Sequence, residues 1–397
     1  MAASVPILIE RHQPSDLAAL DEAWSDSSTF AFLPEKSGVA EEWIRSSVDA
    51  LPDDLRRDHF ALLTSGSTGR PKLVIGNKRR AEALAGLLHE VQNSEPVTMT
   101  IAALPLTYCY SFVNQWLWAR RMKRRLVPTR GFAHPDEFRD ALRAANAAML
   151  CLVRVQLPLF HDVFGDETFP GVIRVHFAGG TFPQAQLGEV RQRFPSAEIF
   201  NNYGCAEAMP RLTVRRAEEG ATAGDIGLPL PGIELRTPES GELQFRSPYR
   251  AVAWFDDDGL HRIEDDQWIG TGDLGGIGDR GHWRLTGRAS EVFKRYGEKV
   301  SLPALLETVQ TSWRGAAAFY RERDPNGEEG HVLVVAPRAS DADIRSILQA
   351  FRSTHPRAQW PLRIETAGAL PMLPNGKIDI TALPTLDGKY VSWRQRL

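Results

Sequence analysis

The chain has 397 residues, 43% hydrophobic and 24% charged, with a formal net charge of -3. That usage excludes a disordered or fibrous protein, and the length suggests two or three domains. The charge offers no broad basic footprint for nucleic acid, and no apolar run is long enough for a membrane span. Three widely spaced cysteines, Cys109, Cys151 and Cys205, fit neither a disulfide framework nor a zinc site. The start lacks a positive leader and a long apolar stretch, so the expectation is a cytoplasmic protein with reduced thiols.

Taken in chain order, the residues before about 58 read as a short strand and two helices, DLAALDEAW and AEEWIRSSVDAL. Pro52 and the run DDLRRD then break the pattern. From His59 strands and helices alternate. HFALLTS and PKLVIG are strands around a glycine-rich loop, and KRRAEALAGLLHEVQ is a helix. VTMTIAALP, RRLVPT, AAMLCLVRV, VIRVHFAGG and AEIFNNYG are further strands, interleaved with helices that include SFVNQWLWARR and PDEFRDALRAAN. The alternation predicts an α/β fold whose large N-terminal domain, over 1–287, holds parallel-rich sheets with helices. Short strands between Gly, Pro and Asp turns predict a small β subdomain over 223–287. A hairpin, EVFKRYGEKVSL, then opens a small α+β C-terminal domain over 291–397.

The loop LLTSGSTGRPK (62–72) alternates small hydroxyl residues with glycine and ends on a lysine. Gly66 and Gly69 can take positive φ and let the backbone come close to an anion. Exposed N–H groups, with the hydroxyls of Thr64, Ser65, Ser67 and Thr68, could then bind phosphate oxygens beside the Lys72 charge. The bland alternative is a surface turn. The spacing departs from the P-loop pattern, because Gly66 and Gly69 are too close and Arg-Pro precedes Lys72. The loop resembles instead the T-S-G-S-T-G-x-P-K signature of the adenylate-forming superfamily, which comprises acyl- and aryl-CoA synthetases, peptide-synthetase adenylation domains and luciferases.

Later segments match that family in order. NNYGCAEA (201–208) resembles its Y-G-x-T-E motif at the end of a strand, the edge where open α/β sheets bind ligands. The resemblance implies that Glu207 holds Mg2+ between phosphates, that Tyr203 lies against adenine or ribose, and that Asn202 sits near the adenine edge, with Gly204 beside them and Cys205 in the substrate pocket. Ala206 replaces the family's threonine, which should slow the first step. GGTFP (179–183) looks like the family's G-G segment. Gly179 and Gly180 would then let the backbone approach adenine, with Ala178 next to the acyl pocket. TGDLG (271–275) and LTGR (285–288) resemble the ribose clamp, with Asp273 on the ribose hydroxyls and Arg288 on ribose and phosphate. Ser290 falls at the family's hinge, placed here near 288–290 and expected to make the C-terminal domain mobile. FKRYGEK (293–299) resembles the thiolation segment, which puts Gly297 and Lys294 beside a pantetheine tunnel. LPNGKID (373–379) matches P-x-G-K. Lys377 then bridges substrate carboxylate and α-phosphate as the principal catalytic residue, alongside Lys72 and Glu207.

Two departures matter. Family members carry a longer segment before the phosphate loop, so the chain is expected to have a reduced N-terminal subdomain. The segment LPLTYCYSFVNQ (104–115) resembles a PLxYxYG variant, in which Tyr108, Tyr110 and Phe112 either line an aromatic or acyl pocket or pack as core at a helix start. The family's F-D-x-S aspartate is absent, which disfavours α-amino acids against aryl, fatty or hydroxy acids.

The resemblance therefore implies an ATP- and Mg2+-dependent enzyme that makes an acyl-adenylate from a small carboxylic acid. The acyl group would pass to CoA or to the phosphopantetheine of a separate acyl carrier protein. The alternatives are transfer to an amine, and a nucleotide- or acyl-binding module without turnover.

Overall fold

Apolar runs without polar alternation build the centre of the molecule. Met99–Ala102, Ala148–Val153, Val172–Ala178 and Glu198–Tyr203 are strands with nearly every residue buried, as a sheet covered on both faces requires. With Arg125–Pro128 they pair in parallel. Thr213–Arg216 turns back antiparallel on Glu198–Tyr203. Beyond it lie Asp225–Pro229, Trp283–Arg288, Ile269–Ile277, Glu242–Arg246 and Glu234–Arg236, which complete an 11-stranded sheet. This computed structural model describes residues 6–10, 14–34, 39–65, 71–180, 182, 184–219, 224–372 and 378–395.

A second, 6-stranded sheet runs Ile7–Glu10, Phe30–Pro34, His59–Ser65, Pro71–Asn77, Ala253–Asp256, Gly259–Arg262. Its first three strands are parallel and the rest antiparallel. Phe30–Pro34 adds a second strand where the sequence suggested only one before residue 58. The strands over 223–287 also form no sheet of their own. Ala253–Asp256 and Gly259–Arg262 close the 6-stranded sheet, and the others extend the 11-stranded one. Short strands between turns carry no mark of which sheet they will join.

Trp24, Phe60, Phe112 and Trp116 form the aromatic heart of one core. Phe138, Phe160, Phe164 and Phe194 fill a second. Helix Glu41–Asp49 lays Ile44 and Val48 over a third. Helix Lys78–Val91 begins on Asn77, whose side chain accepts from the N–H groups of Arg79 and Arg80. Lys78 itself is buried. Its ammonium donates to the carbonyls of Ala23, Trp24, Asp26 and Ser28 at 2.7 to 3.3 Å. It thus supplies the cation that helix Pro14–Ser25 lacks in its own last turn.

The chain divides into two units, Met1–Thr271 with Gly275–Leu285, and Gly272–Leu274 with Thr286–Leu397. The second unit holds the hairpin of Val292–Arg295 and Glu298–Ser301 and a 4-stranded sheet of Ala316–Arg323, Glu329–Ala336, Arg363–Thr366 and Tyr390–Arg394. Helices Leu302–Ser312 and Asp341–Thr354 pack Leu305, Val309, Ile347 and Phe351 into its core. Among the described residues no helix is long and apolar enough to cross a membrane.

Candidate active site

Strands His59–Ser65 and Pro71–Asn77 form an antiparallel hairpin with Thr64 opposite Lys72 and Ser65 opposite Pro71. The Thr64 hydroxyl donates to the Lys72 carbonyl at 3.4 Å. Lys72 leaves this hairpin toward Glu207, 135 residues away in sequence, and its Nζ lies 2.7 Å from Glu207 Oε1. Both side chains are about one fifth exposed (19% and 20%), so the pair is only partly screened by water. Glu207 sits on a single helical turn, Ala206–Ala208, directly after strand Glu198–Tyr203. Gly204 makes that turn possible, because a Cβ there would lie 1.9 Å from the Pro210 carbonyl oxygen.

Trp254 lies under the Lys72 ammonium, with Nζ 4.3 Å from the ring centroid. The hairpin Ala253–Asp256/Gly259–Arg262 delivers it by pairing with Pro71–Asn77, Trp254 opposite Val74. The His261 ring stacks on Trp254 at 5.3 Å, and its Nε2 lies 2.9 Å from Asp256 Oδ1. Lys72 is therefore held by one carboxylate and one aromatic face.

A buried polar cluster adjoins this pair. Asn202 is 1% exposed. Its Oδ1 accepts from Gln92 (3.3 Å) and from Arg211, and its Nδ2 lies 3.2 Å from His176 Nδ1. The Tyr110 hydroxyl donates to the His176 carbonyl at 3.0 Å, and Arg211 donates to Asn114 Oδ1 at 2.6 Å. Burial raises the Tyr110 hydroxyl well above its ordinary range. Burial also lowers His176 far below the usual imidazole value, aided by the charges of Arg211 and Arg174. Cys109 is buried, and both burial and the Glu207 charge push its thiol up, so it is no nucleophile at neutral pH.

The remaining expected residues of the first unit fall around this cluster. Tyr203 is buried in the aromatic-rich core, and Phe112 is fully buried there against Trp24, Phe32, Phe60 and Trp116. Tyr108, Ala178 and Cys205 are half-buried. Gly179 and Gly180 end strand Val172–Ala178 with φ of 82° and 140°, which turns the backbone sharply at that edge.

In the second unit the Arg288 Nε lies 3.1 Å from Asp273 Oδ1, with Asp273 nearly buried. Burial, opposed by Arg288 and reinforced by Asp273, raises the neighbouring Glu291 carboxyl. Ser290 is exposed, and its carbonyl accepts from Arg321 at 3.4 Å. Tyr296 and Gly297 form the hairpin turn with φ of 49° and 82°, the positive pair that a tight two-residue turn needs. Lys294 is exposed on the preceding strand. Gly66, Ser67, Thr68, Gly69 and Lys377 lie outside the described residues, and so does the side chain of Ser65.

Sequence reading missed Trp254, His176 and Arg211. Trp254 gains its place from strand pairing over 180 residues, which no local motif encodes. Arg211, just before strand Thr213–Arg216, carried no such signal, because a lone arginine is ordinarily exposed.

Comparison with known proteins identifies the family and the fold. The family described as AMP-binding enzyme matches residues 4–246. Isonitrile lipopeptide synthase of Streptomyces coeruleorubidus is 29% identical over 356 residues, 82% of this chain and 23% of that protein. A methyl-dioxo-octahydroindenyl-propanoyl:CoA ligase of Rhodococcus jostii is 23% identical over 86% of this chain and 68% of its own length. The D-alanine--D-alanyl carrier protein ligase of Streptococcus pneumoniae is 24% identical over 82% of this chain and 70% of its own. The chain thus spans about a quarter of the first relative and about two thirds of the other two. O-succinylbenzoate coenzyme A synthetase from Bacillus subtilis, solved in complex with AMP, superposes with a TM-score of 0.71 at 16% identity. That match covers 99% of this chain and 89% of that one, and shows a common fold. With a family match over more than half its length and this architecture, the chain belongs to the AMP-binding enzyme family, the adenylate-forming superfamily.

Proposed function

We propose that this chain is an acid–thiol ligase that uses ATP to activate a small carboxylic acid as its acyl-adenylate. The acyl group then goes to the thiol of CoA or of a carrier-protein phosphopantetheine. The observation that carries this reading is the contact of Lys72 with Glu207, at the hairpin that opens into the glycine-rich loop. Phosphoryl chemistry needs a fixed cation and a hard anionic ligand in one place. The names of the CoA and carrier-protein ligases support a thiol acceptor.

In the first step a carboxylate oxygen bonds to the α-phosphorus of ATP. The bond from that phosphorus to the bridging oxygen breaks, and pyrophosphate leaves. In the second the thiol sulfur bonds to the acyl carbon, its proton goes to solvent, and AMP leaves. Lys72 balances phosphate charge, and Lys377 lowers the repulsion between carboxylate and α-phosphate. The loop from Thr64 to Gly69 offers hydrogen-bond donors to the phosphates. Gly179, Gly180 and Tyr203 border the nucleotide, while Asp273 and Arg288 take its ribose. Gly297 and Lys294 serve the thiol step, with rotation about Ser290 between steps.

Among the described residues no group of three or more His, Cys, Asp or Glu could hold a metal. That fits magnesium, which is commonly held by one or two carboxylates with phosphates and water filling its shell. Glu207 would hold it, and it would neutralise phosphate charge when bound.

The test is acid-dependent pyrophosphate release across a panel of aryl, fatty and hydroxy acids, with hydroxylamine trapping the adenylate. Lys377→Ala should abolish release and spare thioester formation from a supplied acyl-adenylate. Equal loss of both steps would refute the divided roles. ATP binding with no release from any acid would overturn the reading in favour of a module without turnover.

A further inference from the structure

Arg211 is 1% exposed, and among the described residues no carboxylate faces it. Of the four other buried arginines of the first unit, three face acids, Arg174 with Glu198 at 2.9 Å, Arg215 with Asp225 at 3.9 Å and Arg250 with Asp265 at 3.4 Å, while Arg193 donates to the backbone carbonyls of Glu167 and Gly165. Arg211 instead donates to two neutral amide oxygens, of Asn202 and Asn114, and lies 5.8 Å from the Tyr110 ring centroid. Burial draws its pKa down to about 10, which leaves it charged at neutral pH. A buried cation balanced only by dipoles bears a desolvation cost of roughly several kcal/mol, and an arriving anion recovers part of it.

A second group points the same way. His176 Nδ1 lies 3.2 Å from the Asn202 amide nitrogen, which makes Nδ1 the acceptor and leaves the proton on Nε2. That Nε2 is buried and has no hydrogen-bond partner among the described residues. The cluster thus combines an uncompensated cation with an unused donor and asks for an acceptor. Its members come from the three motif elements of the site. Tyr110 and Asn114 follow the LPLTY segment, His176 precedes the Ala178–Gly179–Gly180 edge by two residues, and Asn202 precedes Tyr203 and Gly204.

We propose that Arg211, with His176, reads a second anionic group on the acid, so that the substrate is a dicarboxylic acid or an acid with an equivalent anionic end. This rests on the acid-activating reading above and narrows its substrate class. Arg211 acts in specificity, and the bond-making steps are unchanged.

The experiment compares acids matched in length, heptanedioate against heptanoate and 4-(carboxymethyl)benzoate against 4-ethylbenzoate, by ATP–pyrophosphate exchange. The wild-type chain should prefer the diacid by about tenfold or more in kcat/KM, the worth of one charge-assisted hydrogen bond. Arg211→Met should bring the diacid-to-monoacid ratio near one, and Arg211→Lys should keep a preference for the diacid. A wild-type ratio near one, or a ratio unmoved in Arg211→Met, overturns the proposal and leaves Arg211 as a brace between Asn114 and Asn202. The wild-type ratio decides even where the variants fail to fold. Exchange with the monoacids alone would sink this proposal and leave the adenylation reading standing. No exchange with any acid, while ATP still binds, would end both.

Discussion

Glu207 and Lys72 form an ion pair whose partners each have a second claim on them in the proposed reaction. The carboxylate is a hard oxygen ligand, and the ammonium is a point charge cushioned by Trp254. Glu207→Gln keeps the shape and removes the charge. The magnesium concentration for half-maximal pyrophosphate release should rise by at least about tenfold, since loss even of a group supporting a metal ligand costs that much. An unchanged magnesium titration would take Glu207 out of the metal site. Lys72 and Glu207 were singled out in sequence by their resemblance to T-S-G-S-T-G-x-P-K and Y-G-x-T-E, and Gly204, where a Cβ would meet the Pro210 carbonyl oxygen, marks the turn before Glu207. Arg211, His176 and Trp254 were not. Each draws its environment from strands distant in sequence, and a lone Arg, His or Trp is compatible with many roles.

At the scale of elements, the helix from Cys109 to Met122 shows how position decides role. Its middle, Phe112–Leu117, is wound more widely than an α-helix, with every residue buried. Wide turns of this kind often occur at functional sites. Here Phe112 and Trp116 stack at 5.1 Å in the core, while Asn114 meets Arg211 in the polar cluster. The sequence predicted the helix but not the wider winding, so the side chain facing the site could not be named. Helix Pro14–Ser25 offers a sharper test. Its last carbonyls are collected by the Lys78 ammonium, at the start of another helix. Lys78→Met removes all four hydrogen bonds and should destabilise the chain by about 3 kcal/mol. Urea unfolding measures this, and a loss below about 1 kcal/mol would show that water replaces the ammonium.

For the whole molecule, the alternation of strands and helices predicted the α/β layout, while membership of each late strand in a sheet needed the structure. Stability at this scale also depends on pH. His331 is fully buried between Phe293 and Phe319, and its ring nitrogens have no hydrogen-bond partner among the described residues. Burial, with the charges of Arg295 and His355, lowers its pKa to about 3. Unfolded, it would titrate near the ordinary value of about 6.5. Its contribution is therefore fully present above about pH 6.5 and is lost as pH falls toward 3, because the unfolded chain then binds the extra proton. The slope is about 1.4 kcal/mol per pH unit for one proton. His59 and His176, also depressed chiefly by burial, act in the same direction. Denaturant unfolding of the second unit at pH 5 and 7.5 should show a smaller difference in His331→Leu than in the wild-type chain. Equal differences would mean that His331 takes up no proton on unfolding. Last, the hairpin bearing Trp254 has a bearing on synthesis. The neighbour of strand Pro71–Asn77 on the side away from His59–Ser65 is Ala253–Asp256. A ribosome must therefore add some 180 residues before that neighbour exists, and through that interval the nascent edge stays open to whatever else can pair with it.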